Sequence, residues 1–151
     1  MTSTNSEKTD EFYRFAAGSE VEFAILDVQS PKGDCISVVA TTHEERTVST
    51  LPYIVLDYSN KGFTGIRQSH SHPHPIGQSI PGGHYDYEKG NPYSLMPYTD
   101  SKGRKVNDAG NAVQTRSRKG FGNTKFEVYN PTKKTKSTYD GVHRAKINLP
   151  L

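Results

Sequence analysis

The chain has 151 residues, 32% of them apolar, and a formal net charge of +3, which is enough for one core and short for several domains. No run approaches the roughly 18 apolar residues of a membrane span, the first twenty residues lack the apolar stretch of a cleavable signal, and the single cysteine, Cys35, excludes a disulfide framework or a cysteine-based zinc knuckle. Charge is uneven: residues 1–100 hold 7 Lys/Arg and 13 Asp/Glu, residues 101–151 hold 12 and 3, so the last third is either a solvated basic surface or one that meets an acidic protein partner, nucleic acid or an anionic membrane, the acidic partner first among these. Residues 1–9 read as a polar, disordered lead-in, and residues 10–151 as one domain. Asp10 is placed to cap a helix over Glu11–Ala17 that stops at Gly18. The apolar run Val21–Val28 predicts a buried strand, closed by Ser30-Pro31-Lys32-Gly33, with Cys35–Thr41 as its hairpin partner. A third strand is expected over Thr50–Tyr58 and a fourth over Phe63–Ser69, running straight into His70. From Ser71 to about Asn107 the chain is rich in Gly, Pro and Tyr without periodicity, and reads as a long loop. A short polar helix follows from Asp108 to about Lys119, then a strand over Lys125–Tyr129. A last hairpin arm falls at Lys136–Tyr139 or Val142–Ile147. This order of elements predicts an α+β fold, a mixed sheet flanked by short helices.

The chemistry-bearing residues lie where the fourth strand ends. Ser69-His70-Ser71-His72-Pro73-His74-Pro75 places imidazoles at alternate positions, and in extended backbone i and i+2 share a face. His70 and His72 can therefore converge on one metal ion, and Pro73 and Pro75 stiffen the exit. Two imidazoles with a carboxylate and an open position form a catalytic zinc site.

The segment His70-Ser71-His72-Pro73 resembles the His-x-His-Pro core of the JAMM/MPN-type zinc metallopeptidases, whose fold is cytidine-deaminase-like. The nearest resemblance is to the JAB-like toxin domains of bacterial polymorphic toxins and secretion-system effectors. It extends over roughly residues 10–140 and includes the strand before Asn130-Pro131 and the pair Tyr139-Asp140. The resemblance implies Glu22, on the first core strand, as general base, Ser79 as hydrogen-bond donor to an oxyanion, and an aspartate as third zinc ligand. At the usual spacing for that aspartate this chain has Gly83. Two candidates remain. Asp86 lies close in sequence, and Asp108 opens the helix before the Lys125 strand. Asp108 is preferred because a helix N-terminus holds a ligand better than a Gly-rich loop does. His84 is a weaker third ligand, and His74 is placed toward solvent or beside the site.

The resemblance thus implies a Zn²⁺-dependent peptidase or isopeptidase, the toxic C-terminal domain of a bacterial effector. Such a domain acts on a protein or peptide inside a target cell and pairs with an immunity protein, here one with an acidic surface. Export without a cleavable signal is expected; otherwise the chain would be cytoplasmic. Nucleic acid is not the expected partner. A metal-dependent nuclease toxin and a non-catalytic binding module on the same scaffold are the competing classes. Nuclease binding would weaken steeply with salt, and a binding module would be indifferent to loss of Glu22.

Overall fold

The structure is a computed structural model describing residues 1–19, 21–42, 48, 50–71, 98–99, 105–106, 108–131, 134–139 and 145–151. His72, Ser79 and Asp86 lie outside the described residues, as does most of the stretch read as a long loop. The elements are β1 (Thr2–Ser3), α1 (Ser6–Ala16), β2 (Phe23–Gln29), β3 (Cys35–Thr41), α2 (Leu51–Asn60) and β4 (Thr64–Ser71). They continue with β5 (Tyr98–Thr99), β6 (Lys105–Val106), α3 (Asp108–Arg116), β7 (Lys125–Asn130), β8 (Thr135–Tyr139) and β9 (Ala145–Pro150). A seven-stranded sheet runs in the order β1-β3-β2-β4-β7-β8-β9, with β5 and β6 forming a separate pair. Within the large sheet β4 and β7 are parallel, and the other neighbours are antiparallel. The architecture is the expected α+β mixed sheet.

Strand parity explains why both faces of the sheet are covered. On β2, Ala24, Leu26 and Val28 join Val38, Val48, Leu51, Val55 and Phe121 in a core beneath α2. Ile25 points the other way, with Val39, Tyr13, Ala17 and Tyr129, beneath α1. A third cluster, Ala112, Phe126, Val128 and Tyr139, lies beneath α3. A strand apolar on both faces reads as an unbroken apolar run, which is why β2 was legible.

Three expectations are corrected. Residues 1–9 are not a disordered lead-in: β1 pairs with β3, and the Met1 amine donates to the Val39 carbonyl at 3.0 Å. Helix α1 starts at Ser6, because Asn5 caps it by accepting from the Lys8 N–H at 3.0 Å. Asp10 is therefore not the cap but a residue inside the helix, where its carboxylate pairs with Arg14 at 2.6 Å and Arg67 at 2.8 Å. Thr50–Tyr58 is helical rather than a strand. Pro52 sits in its first turn, and the buried positions Leu51, Val55 and Ser59 recur every four residues, so the period is that of a helix although the residues are β-branched and aromatic. Both candidate regions for the last hairpin arm hold strands, β8 and β9.

Arg67 locks α1 to the sheet. Its guanidinium donates to Asp27 on β2 at 2.7 Å and to Asp10 on α1 at 2.8 Å, and lies 3.5 Å from Glu127 on β7. Burial works against this cation, but the carboxylates of Asp27 and Asp10 hold it protonated above its ordinary range. At Gly65, a side chain would collide with Phe121 and Thr124, both fully buried. That closeness lets the α3–β7 turn lie against the start of β4.

Candidate metal centre

Strand parity also selects what shares a face with His70. Arg67, Ser69 and Ser71 belong to the α1 face: Ser69 Oγ is 3.2 Å from the Tyr13 hydroxyl, and Ser71 Oγ accepts from the Phe23 N–H at 3.0 Å. Gln68 and His70 therefore point to the opposite face, beneath α3. Helix α3 seats on them at successive turns. Thr115 donates to Gln68 Oε1 at 3.3 Å, Ala112 enters the apolar cluster of Phe126, Val128 and Tyr139, and Asp108 reaches His70. These positions are i, i+4 and i+7 of one helix face.

His70 Nε2 and Asp108 Oδ1 lie 3.3 Å apart, with side-chain exposures of 8% and 16%. Glu22, buried and one residue before β2, belongs by parity to the same face as Ala24, which is the register partner of His70. Burial opposes a charge on His70. The charge and hydrogen bond of Asp108, helped by the charge of Glu22, outweigh it and push the imidazole pKa up to about 9. Two carboxylates around one buried imidazole make a site that attracts a cation. An imidazole nitrogen beside a carboxylate oxygen is also a zinc donor pair. The donor chemistry of His70 and Asp108 is thus compatible with a zinc ion. Among the described residues no cluster of three or more His, Cys, Asp or Glu side chains forms a complete metal cradle.

Of the six residues singled out in the sequence, Glu22, His70 and Asp108 are brought to one face, whereas His72, Ser79 and Asp86 lie outside the described residues. Two contributors escaped the sequence reading. Gln68 ties the strand of His70 to α3, and Tyr139 on β8 meets the His70 ring edge-on, with centroids 6.5 Å apart and planes at 83°. Gln68 had a signal, since it shares the parity of His70. Tyr139 was marked only as part of the resembling C-terminal segment, and nothing local placed it beside His70, because β7 separates its strand from β4 in the sheet.

A family model described as JAB-like toxin 1 matches residues 1–112. The chain belongs to the JAB-like toxin 1 family. The matched span of this JAB-like toxin domain includes Glu22, His70 and Asp108 and ends inside α3, so that β7, β8 and β9 lie beyond it. No match was found among curated proteins or among solved structures. No helix among the described residues is long and apolar enough to cross a membrane.

Proposed function

We propose that this JAB-like toxin domain is a zinc-dependent peptidase or isopeptidase. The observation that carries the reading is the buried His70–Asp108 pair, 3.3 Å apart, under the influence of the Glu22 carboxylate. His70, His72 and Asp108 would hold the ion, with Asp86 the alternative to Asp108. Zinc, when bound, supplies Lewis acidity, lowering the pKa of a water toward ~7 and polarising the scissile carbonyl. Glu22 accepts the proton of the attacking water as its oxygen bonds to the carbonyl carbon. As the C–N bond breaks, Glu22 returns that proton to the leaving amine. Ser79 donates a hydrogen bond to the oxyanion.

As a toxin domain of an exported bacterial effector, the chain would meet an immunity protein with an acidic surface. The exposed cations Lys32, Lys61, Lys119 and Lys125 suit such a partner. They lie at the end of the sheet away from His70, where Ser59 donates to the Lys119 carbonyl at 2.8 Å.

Metal content by mass spectrometry tests the reading, comparing the wild type with the His70→Ala/His72→Ala double variant. Near-stoichiometric zinc, lost in the variant, is expected. No zinc in either protein after reloading and removal of excess would refute it. In assays on peptide and lysine-isopeptide substrates, Glu22→Gln should keep the metal and abolish hydrolysis.

A further inference from the structure

The His70–Asp108 pair joins two elements distant in the chain, β4 and α3, and something must hold both in place. We propose that Tyr139 is the positioning residue of this centre, its ring acting as the wall that fixes the His70 imidazole and seats the helix carrying Asp108. The inference rests on the metal reading of that pair.

Tyr139 is 5% exposed and stands on β8, with Phe126 of β7 as its register partner and Gln68 of β4 as the partner of Phe126. Its ring crosses that ladder diagonally to meet His70 edge-on at 6.5 Å. It also packs against Phe126, centroids 5.7 Å apart and planes at 38°. Ala112, one turn along α3 from Asp108, belongs to the same buried cluster. One aromatic ring therefore borders the imidazole and shares a buried cluster with the helix that presents the carboxylate. An imidazole has two χ angles, and an edge-to-face neighbour in a close-packed interior restricts both. A metal site tolerates little angular error in its ligands, so residues that orient a ligand affect affinity without touching the ion. Tyr139 lies beyond the residues matched by the family model. The C-terminal hairpin thus completes a site whose chemistry-bearing residues all precede it.

The test compares three single variants by zinc Kd, measured against a competing chelator, and by the His70 imidazole NMR signals of the metal-free protein at one pH. Tyr139→Phe keeps the ring and should hold Kd within twofold. Tyr139→Leu fills much of the volume without the ring edge; it should raise Kd at least tenfold and shift the His70 signals. Tyr129→Leu is the control, at a comparably buried tyrosine in the cluster on the opposite face. It should lower the melting temperature and leave Kd and the His70 signals unchanged. Equal effects of Tyr139→Leu and Tyr129→Leu on Kd would reduce Tyr139 to a core residue and overturn the inference. So would Tyr139→Phe behaving like Tyr139→Leu, or Tyr139→Leu leaving the His70 signals in place. A wild type that binds no zinc would overturn the metal reading, while the NMR comparison would still decide whether Tyr139 sets the imidazole.

Discussion

Replacing Asp108 by Asn probes the centre without disturbing the fold around it, since Asn serves nearly as well as Asp at a helix start. In the metal-free protein the His70 pKa is pushed up to about 9 from an ordinary 6.5, with Asp108 the chief favourable partner against the cost of burial. The folded form therefore keeps a proton that the unfolded chain releases above pH 6.5. At ~1.4 kcal/mol per pH unit that proton is worth about 3 kcal/mol. The contribution is complete below pH 6.5 and lost as pH rises through 9, so stability falls across that window. Urea unfolding in the presence of a chelator, at intervals from pH 6 to 9.5, measures it. In Asp108→Asn the chief anionic partner is gone and only the weaker influence of Glu22 still opposes burial, so the decline should shrink markedly. An equal decline in both proteins would refute the assignment of the proton to this pair. Zinc added at pH 9 should restore stability to the wild type by mass action, because binding favours the folded state.

Arg67→Met should cost about 3 kcal/mol in urea unfolding, the low end for a broken buried pair, since Asp27 loses its cation while Asp10 keeps Arg14 and Glu127 keeps Lys136; a loss under about 1 kcal/mol would show that the network is dispensable. Gly120→Ala should destabilise by at least ~1–2 kcal/mol, since φ is +82° and the new methyl would strike the Phe63 carbonyl; an unchanged melting temperature would contradict this. Asn5→Ala should cost ~1 kcal/mol, and deleting residues 1–4 should destabilise further, because β1 pairs with β3; a deletion without effect would restore the view of a dispensable lead-in.

Much of the centre was legible because its signals are local. His70 ends a strand-like run, and Asp108 announces itself by opening a polar helix. The apolar runs of β2 and β3 and the turn Ser30–Gly33 likewise carry their own structure. Where local propensity and tertiary packing disagreed, packing won. Thr50–Tyr58 has the composition of a strand, yet Leu51 and Val55 bury together only on a helix. The polar residues 2–9 look unstructured until β3 offers an edge to pair with and Arg67 offers Asp10 a partner.

The sequence by itself determined which residue types stand at a strand end and a helix start, and hence the class of chemistry they can carry. Only the tertiary structure decided that α3 docks with Asp108 over His70, that Glu22 lends its charge there, and that Tyr139 walls the pair. Those relations join residues far apart in the chain, through sheet order and side-chain packing. No local pattern encodes the distance between two elements separated by so much intervening chain.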